Sequence, residues 1–186
     1  MKSINQTYLD YINFPDENRT VDIYEHLPVL RSYAKKCNHI TEMGVRWGAS
    51  TVALLSTRPQ EMISYDITKT GKMEEIKKMC ENEKINHKFI IENVLSSSIE
   101  VTDLLFIDTL HSYPQLLCEL LLHSSKAQKY IILHDTESFK NHDEGKPTRL
   151  SRKGLQKALE DFLDLGQWSI KEHFKNNNGL TILTPT

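Results

Sequence analysis

Apolar positions along the chain alternate between two periods, and this alternation predicts a mixed α/β protein. From residue 39 onward, short apolar runs typical of strands alternate with segments whose apolar residues recur every three or four positions, as in an amphipathic helix. The pattern predicts strands over residues 40–45, 62–67, 87–94, 103–108 and 130–133. It predicts helices over residues 50–56, 72–84, 113–127 and 154–165. Strands and helices that alternate in this way favour a parallel sheet.

The two ends of the chain do not follow this alternation of strand and helix patterns. Residues 1–21 are predicted to form an irregular leader, and a capping-box pattern at Asp22 predicts a helix over residues 22–37. At the other end, residues 168–174 and 180–183 are strand-like, and the turn between them has three asparagines and a glycine. We therefore expect five parallel strands followed by an antiparallel hairpin.

Length and composition are those of an ordinary globular domain. The chain has 186 residues, of which 39% are hydrophobic and 26% charged. We expect a single domain, in which the leader and helix of residues 1–38 pack on a core formed by residues 39–186. No apolar run approaches the roughly 20 residues that span a bilayer, so no membrane partner is expected. The first residues also lack the features of a signal peptide.

The charge balance and the spacing of the cysteines limit the kinds of partner, cross-link and metal site that we expect. Lys and Arg number 23 against 25 Asp and Glu, for a formal net charge of -2. This balance argues against binding nucleic acid mainly by bulk charge and leaves a local basic patch open. Cys37, Cys80 and Cys118 form no CxxC pair, so neither a disulfide framework nor a structural zinc site is predicted. A reducing, cytoplasmic setting is expected.

Polar side chains follow each predicted parallel strand, at the edge where an open α/β sheet binds ligands. The first strand leads into Glu42-Met43-Gly44-Val45-Arg46-Trp47-Gly48-Ala49-Ser50, whose two glycines let the backbone approach a ligand. The second strand ends at Asp66, which can accept hydrogen bonds from both hydroxyls of a ribose. The third ends near Asn93, the fourth at Asp108, and the fifth at His134-Asp135.

Asp108 is the most informative of these positions. It follows the apolar run Leu104-Leu105-Phe106-Ile107, and an acid there costs several kcal/mol unless it is paired or binds a metal. The other positions also have simpler interpretations, with the glycines as a tight turn and Asp66 as a loop cap. The joint pattern is therefore more specific than any single element.

Together these motifs resemble those of class I methyltransferases that use S-adenosylmethionine, over residues 39–186. The most similar branch is that of the cephalosporin-hydroxylase-like and macrocin-type O-methyltransferases. The resemblance lies in Glu42-x-Gly44-x-x-x-Gly48-x-Ser50, Tyr65-Asp66, Phe106-Ile107-Asp108 followed by His111-Ser112-Tyr113, and Ile132-Leu133-His134-Asp135. It implies a Rossmann-like methyltransferase fold, with a seven-stranded, mostly parallel sheet, a C-terminal antiparallel hairpin strand and helices on both faces.

The resemblance also implies which residues bind the cofactor. Those expected to contact S-adenosyl-L-methionine are Glu42, Gly44, Arg46, Gly48, Ser50, Asp66, Asn93 and Asp108. Among them the glutamate and the two glycines would hold the methionine part. The aspartate after the second strand would take the ribose, and the asparagine would flank the adenine.

Related O-methyltransferases hold a divalent cation with carboxylates at the ends of strands four and five. Asp108, His134 and Asp135 are the implied ligands here, for Mg2+ or another divalent cation that lowers the pKa of a coordinated hydroxyl. This chain has Thr109-Leu110 where the branch usually has Gly-Asp, so one acid is missing. His111 is the expected general base, with Asp108 as the second catalytic residue. The simpler interpretation of His111 is a cap on the next helix.

Residues 136–153 are polar and without periodicity, which favours a functional loop or lid, with disorder as the alternative. Within it, Arg149, Arg152 and Lys153 are expected to contact an anionic acceptor such as a sugar phosphate or a glycan.

Several functions remain open at this point. The leading one is metal-assisted O-methylation of a hydroxyl on a small molecule, sugar or glycan, by a monomer or homodimer. The second is a nucleotide-binding oxidoreductase, and a methyltransferase acting on nucleic acid also remains open. A nucleotide-binding oxidoreductase lacks the third glycine of its fingerprint and leaves the terminal hairpin unexplained. A non-catalytic module that acts as a partner subunit is the third possibility. It would not need Asp66, Asp108 and Asp135, which follow three of the strands.

Overall fold

The computed structural model describes residues 2–145 and 153–186. Their strands are β1 (His39–Met43), β2 (Glu61–Asp66), β3 (His87–Ile91), β4 (Thr102–Ile107), β5 (Ala127–His134), β6 (Trp168–Phe174) and β7 (Leu180–Pro185). Their helices are α1 (Ile4–Asn13), α2 (Pro15–Asn18), α3 (Leu27–Ala34), α4 (Ala49–Leu55), α5 (Gly71–Glu83), α6 (Tyr113–His123) and α7 (Gly154–Leu163). Within the described ranges, none of these helices combines the length and the apolar character needed to cross a membrane.

The chain divides into two compact units, which follow one another at Asn93 and Val94. In the first unit, β1 pairs in parallel with β2, and β2 pairs in parallel with β3. The side chains of β1 and β2 are buried almost throughout, as expected for parallel strands that are covered on both faces. Helices α1 and α3 pack against α4 in the same unit.

The second unit holds a parallel pair and an antiparallel hairpin. Strands β4 and β5 are parallel, whereas β7 is antiparallel to both β5 and β6. The strand order is β3-β2-β1-β4-β5-β7-β6 in one mixed sheet, which confirms the predicted fold class. In the register of the parallel pair, Ile107 lies opposite Leu133, so Asp108 and His134 follow at the same level.

The predicted irregular leader is wrong, because residues 1–21 contain two helices. The Ser3 hydroxyl accepts a hydrogen bond from the Gln6 N–H and caps α1. Ile4, Tyr8 and Tyr11 bury one face of this helix, at a helical spacing that was visible in the sequence.

Asp22 does not cap the following helix, contrary to the prediction. A short 3-10 turn spans Tyr24–His26, and α3 begins only at Leu27, with Pro28 in its first turn. A helix tolerates proline only in its first turn, because proline has no N–H to donate to the hydrogen bonds farther along the helix. The Asp22 carboxylate instead pairs with Arg46, at 2.8 Å.

One buried carboxylate fixes the starts of both helices in the second unit. Asp143 Oδ1 accepts hydrogen bonds from the Tyr113 N–H of α6 at 2.8 Å and from the Gly154 N–H of α7 at 3.0 Å. Gly154 has φ +66, and a Cβ there would overlap backbone atoms of residues 140 and 142. The described part of the predicted lid, residues 136–145, is therefore tied to two helices.

We expect Asp143→Ala to lower the free energy of unfolding by about 2 kcal/mol, because two helix N-termini lose their shared acceptor. Urea denaturation measures the loss. Asp143→Asn keeps the acceptor oxygen and should retain most of the stability. Equal stability of the alanine and wild-type proteins would contradict the capping role.

Candidate functional site

The turn after β1 has a backbone that suits glycine. Gly44 has φ +86 and Gly48 has φ +74, both in the left-handed region. A Cβ at Gly48 would lie 2.4 Å from Ile76 Cδ1, so this glycine also permits a close approach to α5. Between them, Arg46 has φ +49 and directs its guanidinium to Asp22.

Glu42 lies beneath this turn and is fully buried. Its carboxylate accepts hydrogen bonds from the hydroxyls of Ser50 at 2.6 Å, Thr51 at 2.8 Å and Ser64 at 2.7 Å. The Ser64 hydroxyl also lies 3.0 Å from Nε2 of His87 on β3. The two predicted cofactor residues Glu42 and Ser50 thus bind each other, and the carboxylate holds the first turn of α4 in place.

Asp66 joins the end of β2 to the turn after β1. Its Oδ2 accepts the N–H groups of Val45 at 2.9 Å and Arg46 at 3.1 Å. Its Oδ1 accepts the N–H of Thr68 at 2.9 Å and the Thr68 hydroxyl at 3.1 Å. Burial raises the pKa of Asp66, but these hydrogen bonds outweigh it and hold the pKa below its usual value.

The remaining predicted cofactor residues are divided between the two units. Asn93 is exposed at the end of the first unit, two residues after β3. Asp108 follows β4 in the second unit, in a cluster of its own. The structure thus brings Glu42, Gly44, Arg46, Gly48, Ser50 and Asp66 together around one turn.

The second unit places two carboxylates and an imidazole at the ends of β4 and β5. His111 Nε2 lies 2.8 Å from Asp135 Oδ2 and 3.2 Å from Asp108 Oδ1. One donor atom from each of the three residues lies within 4.8 Å of the other two, close enough for one metal ion. Asp135 has φ +59, so the chain turns sharply at this ligand position.

His134, the third ligand implied by the sequence, lies outside this group. It is almost fully buried, with Nδ1 at 3.5 Å from Asp108 Oδ2 and 3.3 Å from Asp135 Oδ2. His111, the predicted base, lies closer to both carboxylates than His134 does. The register of β4 and β5 puts His134 level with Asp108, whereas the loop after β4 brings His111 back over them.

The charges of this cluster depend on one another. Burial raises the pKa of Asp108, but His134 and His111 outweigh it and hold the pKa well below its usual range. Burial lowers the pKa of His111, yet Asp108 and Asp135 raise it to about 10 overall. With no cation bound, the carboxylates are therefore ionised and His111 is protonated at neutral pH.

Sequence reasoning missed three residues that contact His111 or its surroundings. Glu144 Oε2 lies 2.9 Å from His111 Nδ1, and the Phe139 ring stacks on the imidazole with centroids 4.5 Å apart. Glu119 of α6 is fully buried and accepts the Thr109 hydroxyl at 2.7 Å. No local signal could have found Glu144, which lies 33 residues from its partner. An acid at an inward position of an amphipathic helix was the available signal for Glu119.

Glu119 lines a small cavity beside the cluster, together with Asp108, His111 and His134. Its Oε1 also accepts a hydrogen bond from Gln115 at 2.7 Å, whereas its Oε2 has no hydrogen-bond partner within residues 2–145 and 153–186. Burial raises the pKa of Glu119 to about 7. The cavity is lined by these polar groups and also by apolar side chains that include Ile107, Leu116 and Leu133.

Of the three predicted acceptor-binding cations, one can be located. The Lys153 ammonium lies 4.3 Å from the centre of the Tyr113 ring, at the start of α6. Arg149 and Arg152 lie outside the described residues.

Comparisons with known proteins identify the fold. No protein-family model and no curated protein matches the chain. Solved structures do match it, and they include a candidate caffeoyl-CoA O-methyltransferase from Staphylococcus aureus, with a TM-score of 0.64 at 15% identity, over 86% of this chain and 82% of that one. The N-methyltransferase NodS from Bradyrhizobium japonicum, solved with S-adenosyl-L-homocysteine, gives 0.62 at 13% identity over 99% of each chain.

An rRNA methylase from Escherichia coli is a third neighbour, with a TM-score of 0.58 at 12% identity, over 97% of this chain and 75% of that one. The chain therefore has the fold of these methyltransferases. At such identities the likeness concerns the fold alone, and neighbours with different acceptors share it.

The half-buried His87 predicts a pH-dependent contribution to stability. Burial lowers its pKa to about 4, against about 6.5 for an unperturbed histidine. Between these values the unfolded chain binds the extra proton on this residue and the folded chain does not, so the contribution of His87 to stability should fall as the pH drops from about 6.5 towards 4. Urea denaturation of the wild type and His87→Gln at pH 7 and pH 5 isolates this contribution, because the raised pKa values of His111, Glu119 and His134 are common to both proteins. The stability of the wild type relative to His87→Gln should be lower at pH 5 than at pH 7. His142→Gln, a change at an exposed histidine, serves as the control and should behave as the wild type does.

Proposed function

We propose that this protein is an S-adenosylmethionine-dependent methyltransferase that methylates a hydroxyl group with the help of a divalent cation. The acceptor is a small molecule, a sugar or a glycan. The observation that carries the proposal is the group formed by Asp108, His111 and Asp135 at the ends of two parallel strands, in a chain with the methyltransferase fold. Oxygen-rich ligand sets of this kind suit divalent cations that activate hydroxyl groups.

The turn after β1 and the end of β2 are the proposed contacts of the cofactor. Gly44 and Gly48 allow the backbone to approach the methionine part closely, since neither carries a Cβ. Glu42 acts through the Ser50 and Thr51 hydroxyls that it binds. Asp66 takes the ribose, and the Thr68 hydroxyl is the side-chain donor that a ribose hydroxyl can replace on it. Asn93 flanks the adenine.

The donor groups of the second unit fit a divalent cation. Two carboxylates face one point from neighbouring strands, and their like charges need a positive charge close by. The unpartnered and fully buried Glu119 Oε2 lines the cavity beside them. A cation bound there would supply charge that lowers the pKa of the acceptor hydroxyl. Methyl transfer is a displacement at the methyl carbon, so it needs the acceptor oxygen in line with the bond from that carbon to sulfur.

A nucleic-acid acceptor is the second candidate. The E. coli rRNA methylase shows that this fold is compatible with such a substrate. The even charge balance, with a formal net charge of -2, favours a small acceptor instead, since nucleic-acid binding relies on cationic side chains.

Calorimetry tests the cofactor assignment directly. S-adenosyl-L-homocysteine should bind, and NAD should not. Asp66→Ala should weaken that binding about tenfold or more, because hydrogen bonds to a charged group contribute about 1.5–3 kcal/mol. Asp135→Asn should bind S-adenosyl-L-homocysteine as the wild type does. Binding of NAD in preference to S-adenosyl-L-homocysteine would favour the oxidoreductase alternative.

Substitution of the three cationic residues of the predicted lid tests whether they bind the acceptor. With Arg149, Arg152 and Lys153 all changed to glutamine, we expect the KM for an anionic acceptor to rise while the affinity for S-adenosyl-L-homocysteine stays unchanged. The physical reason is the loss of charge-assisted contacts to the acceptor. Turnover with a panel of phosphorylated and neutral hydroxylated acceptors measures this. An unchanged acceptor KM would refute the role of the three cations, and Lys157→Gln in α7 serves as the control.

A further inference from the structure

His111 has a carboxylate at each ring nitrogen. Glu144 Oε2 lies 2.9 Å from Nδ1, while Asp135 Oδ2 and Asp108 Oδ1 lie 2.8 and 3.2 Å from Nε2. The side chain is mostly buried, with 18% of its surface exposed. Its two nitrogens therefore face different parts of the site, with Glu144 on one side and the two strand-end carboxylates on the other.

Glu144 determines which nitrogen carries the proton of a neutral imidazole. Its Oε2 accepts the hydrogen bond from Nδ1–H of His111. Nε2 faces Asp108 and Asp135, and a cation bound between these carboxylates would replace the Nε2 proton while Nδ1–H stays on Glu144. A histidine that binds a metal through one nitrogen commonly donates its other N–H to a carboxylate in this way.

The loop that carries Glu144 holds the ring in this orientation. The Glu144 N–H donates to the His111 carbonyl at 2.7 Å, and the His111 N–H donates back to Glu144 Oε2 at 3.3 Å. Phe139 from the same loop stacks on the imidazole at an interplanar angle of 10°. Asp143, next to Glu144, anchors the loop on α6 and α7. The imidazole is therefore oriented by side chains that do not belong to the carboxylate pair.

We propose that His111 is the third ligand of the cation, that Glu144 is its positioning residue, and that the site binds a transition-metal dication such as Mn2+ more tightly than Mg2+. This inference rests on the proposed function, which places a cation between Asp108 and Asp135. Mg2+ prefers oxygen ligands throughout, whereas an imidazole nitrogen suits Mn2+, Fe2+ or Zn2+ better. His111 binds through Nε2, and the general base is then another group.

Pulsed electron paramagnetic resonance with Mn2+ as the probe tests the ligand directly, without turnover. The wild-type protein should show the modulation of a coordinated imidazole nitrogen. His111→Gln should lose this nitrogen signal, and His142→Gln, at an exposed histidine of the loop that carries Glu144, should retain it. Calorimetry should give tighter binding of Mn2+ than of Mg2+ for the wild type, and this preference should shrink in His111→Asp, which offers an oxygen ligand instead.

Glu144 is tested by its effect on Mn2+ affinity. Glu144→Ala should weaken Mn2+ binding about 10- to 100-fold, the usual effect of removing a carboxylate that orients a metal-binding histidine. Glu144→Gln keeps an oxygen that accepts from Nδ1 and should restore much of the affinity. Asp164→Asn removes an exposed charge at the end of α7 and is the control for net charge.

The outcomes separate this inference from the function on which it rests. Mn2+ that binds without a nitrogen signal, or with the signal intact in His111→Gln, overturns the ligand assignment and leaves His111 as the predicted base. Mn2+ affinity that Glu144→Ala does not change overturns the positioning role. A wild-type protein that binds S-adenosyl-L-homocysteine but neither Mn2+ nor Mg2+ overturns the cation itself, and with it the cation-assisted part of the proposed function.

Discussion

The second unit is organised around two carboxylates that cannot be ionised side by side without a positive charge near them. Asp108 and Asp135 follow neighbouring parallel strands, so the spacing of the sheet brings them together. Their repulsion is relieved here by His111 and His134, whose pKa values they raise. A cation would relieve it equally well. The same electrostatic requirement thus explains both the imidazoles seen around the pair and the proposed metal.

The surrounding structure holds that charge arrangement in place at some cost. Glu119 is buried on α6 with one oxygen unpartnered among the described residues, and Asp135 has a left-handed backbone. Sites in which polar groups are buried and local rules are broken are commonly functional, because selection for stability alone would remove them. Asp143 offsets part of this cost by capping two helices with one side chain.

The carboxylates around the turn after β1 accept hydrogen bonds from hydroxyl and N–H donors. The buried carboxylate of Glu42 accepts hydrogen bonds from three hydroxyls. Asp66 is likewise surrounded by N–H and hydroxyl donors. Hydrogen-bonded carboxylates of this kind give a rigid turn whose backbone groups stay where they are before any ligand arrives, which lowers the entropic cost of binding.

Local patterns in the sequence determined the strands, most helices and the residues at the strand ends, because apolar periodicity and the position of an acid after an apolar run are properties of short segments. The N-terminal helix is also encoded there, in the helical spacing of Ile4, Tyr8 and Tyr11. Only the tertiary structure decided that His111, rather than His134, lies closest to both carboxylates, and that Glu144 and Phe139 hold it. Those contacts join residues about 30 positions apart through a loop without periodicity, and their distances depend on how that loop folds back over the sheet edge.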